Sequence, residues 1–227
     1  MIWVEVLFLV LIISFKYKHL IIAFMTSIFQ YFFTLIILLS SLNILAQYDF
    51  SGLQHWEIPS KNPDRIILTF NGDPSSSRAV TWRTDTNIKN AVAQIAISNV
   101  NSNFKLNSLT YQAVTEPFDL GQYKGNKSFI VNYHSVTFKD LKPDKLYAYR
   151  VGDGKDYWSE WIQFRTAKES NGKTEFVYFG DAQNNVLSDW SRVIRMAYQT
   201  APNSSFVIHA GDLINDGHRD YEWAEWY

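Results

Sequence analysis

Apolar positions change rhythm twice along this chain. In the first 46 residues they are nearly continuous: residues 20–46 are interrupted only by Thr, Ser, Gln, Tyr and Asn, and Lys16, Lys18 and His19 stand just before them. From Asp64 the apolar positions form short alternating runs, at 65–70, 78–84, 91–98, 109–115, 128–138, 146–151 and 158–165, separated by turn residues such as Asn71-Gly72-Asp73-Pro74. Period-two runs of this kind predict half-buried strands, with Val80 and Trp82 sharing one face, and seven in succession predict an all-β sandwich. Beyond Thr174 the rhythm changes again. Two runs rich in Phe, Val, Ile and Tyr, at 176–179 and 206–209, each lead to a Gly-Asp pair. Between them Trp190, Val193, Ile194, Ala197 and Tyr198 recur at helical spacing, and Pro202 stands where that helix must have ended. The unit reads as strand, helix, strand, with both strands parallel and buried on both faces.

The polar stretch 168–173, containing Asn171-Gly172, separates the two patterns and predicts a linker. The organisation expected is therefore a signal peptide or membrane anchor at 1–46, a β-sandwich at 60–167, and the start of an α/β domain at 174–227. Positive charge ahead of a long apolar run directs the downstream chain away from the cytoplasm, so everything after about residue 47 is expected to be exported. Met25 offers an alternative start, with an apolar core at 29–39 and a cleavage point after Ala46; retention of the segment as a membrane anchor is the other reading. The expected location is secreted, periplasmic or cell-surface, with membrane contact only through residues 1–46 if they stay attached.

Composition narrows the chemistry. The chain has no Cys, which excludes disulfides, zinc-thiolate sites and a lipid anchor on an N-terminal Cys. Its formal charge is −1, and without residues 1–46 it keeps 19 basic against 21 acidic residues, so no basic surface points to nucleic acid. At 47% hydrophobic and 16% aromatic it has ample material for a packed core.

The stretch from Leu141-Lys142-Pro143 through Leu146-Tyr147-Ala148-Tyr149-Arg150-Val151 resembles the turn and strand of fibronectin type III domains, in which a Tyr packs at the corner. Tyr147 takes that place here. The chemistry lies in the Gly-Asp pairs. A crossover joins parallel strands, so Asp181 and Asp212 should emerge together at the carboxyl edge of one sheet, where open α/β sheets place their ligands. Two carboxylates meeting there suggest a hard-metal site.

These segments resemble the first two metal-binding blocks of the calcineurin-like metallophosphoesterases, with the purple acid phosphatases as the nearest relatives. Those phosphatases also place a β-sandwich before the catalytic domain. The resemblance implies that Asp181 ligates one ion and that Asp212 bridges two, the metals being Fe, Mn or Zn and the substrate a phosphate ester. Gln183 departs from the family's block, and its amide oxygen is either a ligand or a loop hydrogen-bonding group. Asn215 stands where purple enzymes carry the Tyr that colours iron(III), so a colourless enzyme using divalent ions is expected. The family's later Asn-His and histidine blocks do not occur before Tyr227, so the chain reads as a fragment with no catalytic residue of its own and no activity.

Other polar groups in this region receive plainer readings. His209 lies three residues before Asp212 on an alternating strand, so it should point away from the carboxylate and pack in the core. Asp216, Gly217 and His218 read as a polar turn, and Trp223, Trp226 and Tyr227 as the start of a helix packed on the sheet. The function expected is that of an exported metal-dependent phosphomonoester hydrolase. Phosphodiesterase or pyrophosphatase chemistry, favoured by Gln183 and Asn215, is the alternative within enzymes. A non-catalytic surface-binding module is the alternative outside them.

Overall fold

The computed structural model describes Tyr17, Gln30, Tyr31 and residues 53–123, 127–169 and 173–227. The chain divides into two units, Met1–Gly52 and Leu53–Tyr227. In the first unit the three described residues are helical, and the signal or anchor expected at 1–46 otherwise lies outside the described residues. Among the described residues no helix is long and apolar enough to cross a membrane.

The second unit begins with a sandwich of two four-stranded antiparallel sheets. Strands β1 (Asp64–Thr69), β2 (Arg78–Asp85), β5 (Val114–Tyr123) and β6 (Lys127–Phe138) form one sheet in the order β1-β2-β6-β5. Strands β3 (Val92–Ile97), β4 (Leu109–Gln112), β7 (Leu146–Gly152) and β8 (Ile162–Arg165) form the other in the order β4-β3-β7-β8. Alternation puts one side of each strand inward. Val80, Trp82, Ile95, Val136, Phe138, Tyr149 and Val151 make one buried cluster between the sheets. Tyr111 meets Phe138 edge-on at 5.3 Å, and Tyr147 stacks on Phe164 at 5.7 Å. Each such side chain contributes roughly 1.5–3 kcal/mol by leaving water.

The expected strands need two corrections. The run at 109–115 is two strands in different sheets: the chain crosses over at Ala113, where β4 stops pairing with β3 and β5 begins pairing with β6. The rest of β5 goes unread because Pro117 and Gly121 interrupt its pattern. Pro117 is tolerated because β5 is an edge strand and needs no donor on its open side. The run at 158–165 is strand only from Ile162. Before it, Ser159 Oγ accepts from Val151 N at 3.0 Å in place of a backbone carbonyl, leaving one isolated bridge between Gly152 and Trp158. A Cβ at Gly152 would run into the Tyr157 carbonyl oxygen and the Trp158 ring, so this close approach requires glycine.

Two polar features stitch the sandwich. Tyr147 forms the expected corner, its hydroxyl accepting from Lys142 N at 2.8 Å. The buried Thr166 hydroxyl donates to Lys142 O at 2.6 Å and accepts from Lys145 N at 3.0 Å. On the inner face His134 sits between Thr84 Oγ1 at 2.8 Å and Thr115 Oγ1 at 2.9 Å, its ring tilted against Trp82. Burial pushes its pKa down to about 4, so it is neutral in the native protein.

Beyond the sandwich, β9 (Val177–Phe179) and β10 (Val207–His209) pair in parallel, joined through a π-helical turn at Val186–Trp190 and helix α1 (Ser191–Thr200). Helix α2 (Asp220–Trp226) comes next. Strand, helix and parallel strand are as expected. Burial of the strands is not: Tyr178 is 66% exposed, and Val207 and Ile208 are each 42% exposed. Two three-residue strands with one crossover are too small a sheet to bury themselves on both faces. The helix packs through Trp190, Ile194 and Ala197, whereas Val193 and Tyr198 of the expected face are exposed.

Candidate metal centre at the Gly-Asp loops

The parallel register pairs Val177 with Val207 and Phe179 with His209, and Ala210 N donates to Phe179 O at 2.7 Å. Both Gly-Asp pairs therefore leave the sheet at the same edge. Gly211 has φ +114°, and both Asp181 (φ +46°) and Asp212 (φ +48°) adopt the left-handed conformation. Asp tolerates this conformation better than most residues, and Asp140 (φ +57°) and Asp144 (φ +50°) share it, so it marks a tight turn at each loop. The two loops touch directly. Gln183 N donates to Asp212 O at 2.8 Å, and Gln183 Nε2 approaches Asp212 Oδ2 at 3.3 Å.

Asp181, Asp212 and Asn215 are exposed and Gln183 is half-buried. The donor set fits a hard cation in kind, because all of its available ligand atoms are carboxylate and amide oxygens. It is small. Among the described residues no group of three or more His, Asp or Glu side chains lies close enough to hold a metal ion. Of the residues expected at the site, the structure joins Gln183 to Asp212 by contact. It places Asp181 at the same sheet edge and Asn215 on the loop after Asp212.

His209 points away from this edge as expected. Its ring stacks on Phe179 at 5.5 Å and meets Trp190 and Trp226 edge-on at 5.7 and 5.0 Å. Burial lowers its pKa, and its Nδ1 is buried without a hydrogen-bond partner. Trp226 also stacks on Trp190 at 5.4 Å, so α2 packs on the crossover unit through this residue. The turn at Asp216–His218 is present, closed by Arg219 N donating to Asp216 O at 2.9 Å.

Sequence reasoning missed the residues that fix the loop after Asp212. Glu222 Oε2 accepts from Asn215 N at 2.8 Å and from Asp216 N at 3.1 Å. Arg219 bridges Asp216 and Glu222 at 3.3 and 3.0 Å. Two residues before Glu222, Asp220 is buried against the sandwich. Arg65 grips both of its carboxylate oxygens, the Nη2–Oδ2 contact being 2.7 Å, and donates to its carbonyl at 3.2 Å. Arg83 Nη1 reaches Asp220 Oδ2 at 3.3 Å while its Nε and Nη2 hold Asp64 at 2.8 and 2.7 Å. Burial works against the Arg65 charge, but Asp220, with a smaller contribution from Tyr133, more than offsets it, and the pKa of the Arg65 guanidinium lies above its usual value. Arg65 reaches Asp220 from a left-handed backbone (φ +49°) at a bulge in β1. The acidic first turn of α2 was the available signal, yet it reads equally as complement to a helix dipole.

Residues 63–166 match the family model described as the purple acid phosphatase N-terminal domain. The match spans the sandwich and leaves residues 174–227 outside it. No curated protein matches the chain. Among solved structures, the fn3 domain of human contactin 1 is 16% identical, with 51% of this chain and 85% of that chain covered and a TM-score of 0.34. The third fibronectin III domain of the human KIAA0343 protein is 18% identical, covering 56% and 98%, with a TM-score of 0.30. The sensor domain of the anti-sigma factor RsgI4 in Pseudobacteroides cellulosolvens is 16% identical, covering 49% and 99%, with a TM-score of 0.28.

Proposed function

We propose that this chain is part of an exported metal-dependent phosphomonoester hydrolase, in which the sandwich is a non-catalytic support and Asp181 and Asp212 are metal ligands. The observation that carries this reading is the meeting of two Gly-Asp loops at the carboxyl edge of a parallel strand pair, directly after a domain matching the purple acid phosphatase N-terminal family. Asp212 would serve as the bridging carboxylate and Asp181 as ligand to one ion, with the amide oxygens of Gln183 and Asn215 as auxiliary donors. Ions held by these residues would supply a lowered pKa for bound water and neutralisation of charge on a phosphoryl group.

The chain's own residues contribute orientation. Gln183 ties one loop to the Asp212 side chain and backbone, and Glu222 holds the backbone just beyond it. Two carboxylates and two amides hold ions weakly against water, so binding by this 227-residue chain is expected only at millimolar metal and hydrolysis of an aryl phosphate no faster than background. The test is NMR of the chain with Mn2+. Paramagnetic broadening should centre on the amides of residues 180–183 and 211–215 and disappear in the Asp181→Asn/Asp212→Asn double variant. Broadening that is unchanged in the double variant, or centred elsewhere, would remove the metal site from these loops.

A further inference from the structure

We propose that Arg65 and Arg83 of the sandwich are positioning residues for the Asp212 loop, acting through Asp220 and Glu222 of helix α2. This rests on the reading of Asp212 as a metal ligand. It gives the sandwich a specific task that a merely adjacent domain would not have.

Alone, α2 is a weak element. Its span Asp220–Trp226 covers about two turns, too short to hold its shape in water without outside contacts. One outside contact is Trp226 on Trp190 and His209, at the far end of the helix. Another is Asp220, at the near end, whose carboxylate is shared by two guanidinium groups from β1 and β2 and is almost fully removed from water. A carboxylate so buried is tolerated only while its cationic partners are in place. Planar guanidinium groups fix its orientation as well as its position.

Glu222 lies two residues further on the same helix, and its carboxylate accepts from both Asn215 N and Asp216 N. Those are the third and fourth residues after Asp212. The chain of contacts is thus continuous: Arg65 and Arg83 set Asp220, Asp220 sets the first turn of α2, Glu222 in that turn sets the Asn215-Asp216 backbone, and that backbone limits where Asp212 can sit. The left-handed conformation of Arg65 fits such a task, since at φ +49° the bulge turns its guanidinium toward Asp220 in place of continuing the β1 ladder.

Amide hydrogen exchange on the 227-residue chain tests this without metal or substrate. Asp220→Asn and Arg65→Gln should each speed exchange at the Asn215 and Asp216 amides by about tenfold or more, toward the level seen in Glu222→Ala, which removes the acceptor itself. The β2–β6 ladder should keep its protection in all three. In the Arg65→Gln/Glu222→Ala double variant, exchange should be no faster than in the faster single variant, because both changes release the same two bonds. Arg65→Lys, which keeps the charge and loses the two-point grip, should fall between wild type and Arg65→Gln. Unchanged exchange at Asn215 and Asp216 in Asp220→Asn and Arg65→Gln would overturn the proposal. So would a rise spread equally over the β2–β6 ladder, or additive effects in the double variant. Loss of the Mn2+ result with these exchange effects intact would remove the metal reading and leave the linkage standing.

Discussion

The sandwich and the crossover unit after it are built from similar residues and end in different physical states. In the sandwich, Val80 and Trp82 are completely buried because a second four-stranded sheet covers them. In the crossover unit, Tyr178, Val207 and Ile208 lie on equally short apolar runs and stay substantially exposed, because one helix and two strands cannot enclose one another. Burial is thus a property of what an element packs against, and the same Phe, Val and Ile spell core in one region and open face in the other. The sharpest way to break this comparison is to separate the regions. Residues 60–167 expressed alone should unfold in one cooperative transition, since their core and corner are self-contained, whereas residues 174–227 alone should show none. A cooperative melt of the second fragment, or its absence in the first, would mean that the boundary is misplaced.

Within the 227-residue chain, Trp82→Ala should destabilise the sandwich by about 3–5 kcal/mol, the range for removing a large buried aromatic side chain. Denaturant titration followed by circular dichroism measures it, and a loss below about 1 kcal/mol would contradict the place of Trp82 in the core.

His134 provides the next largest effect, and one that varies with pH. In the folded chain it titrates at about 4, against 6.5 without burial. Between those values the unfolded chain takes up a proton that the folded chain refuses, so stability is intact above pH 6.5, falls as pH drops, and levels off below about 4. The loss should be on the order of 2–3 kcal/mol. His134→Gln retains hydrogen-bonding capacity toward Thr84 and Thr115 without titrating, so the wild-type and variant stability curves should converge as the pH falls. Parallel curves from about pH 7 to 4 would show that His134 takes up its proton as readily in the folded chain as in the unfolded one.

How far these features could be read from sequence depended on their range. Alternation revealed β1, β2, β3, β6 and β7 because each needs only its own residues to declare which side faces in. The Tyr147 corner was legible for the same reason: the hydroxyl and the Lys142 N–H it binds are five residues apart. Strand β5 was hidden by Pro117, whose harmlessness stems only from its place at the edge of a finished sheet. The Arg65–Asp220 contact spans 155 positions, and neither residue carries a local sign of the other. At the candidate site, the shared edge of Asp181 and Asp212 followed from the crossover rule. The hold of Gln183 on Asp212 and of Glu222 on Asn215 depended on loop conformations that no periodicity describes.

A smaller effect separates local stitching from core packing. Tyr147→Phe keeps the ring stacked on Phe164 and removes only the acceptor for Lys142 N, so it should cost about 1 kcal/mol. Thermal unfolding of the variant checks this, and a loss as large as that of Trp82→Ala would mean that the corner carries packing as well as a hydrogen bond.

The smallest expected change in stability lies on the open face of the crossover unit, and it makes the comparison quantitative. Tyr178, Met196 and Ile208 are exposed apolar side chains on β9, α1 and β10. Ile208 is 42% exposed, so replacing it by Ser removes only part of a buried side chain and should shift folding stability by about 1 kcal/mol or less, below the roughly 1.5–3 kcal/mol of a fully buried aliphatic. Its effect on association should run the other way. Exposed apolar residues beside unpaired strand edges favour contact between copies, so Tyr178→Ser/Ile208→Ser should reduce self-association at high protein concentration while leaving the unfolding midpoint nearly unchanged. Sedimentation measured over a concentration series, together with denaturant titration, separates the two quantities. A loss of about 2 kcal/mol or more from Ile208→Ser alone would place that side chain in a packed environment, and the contrast between closed sandwich and open crossover unit would then fail at β10.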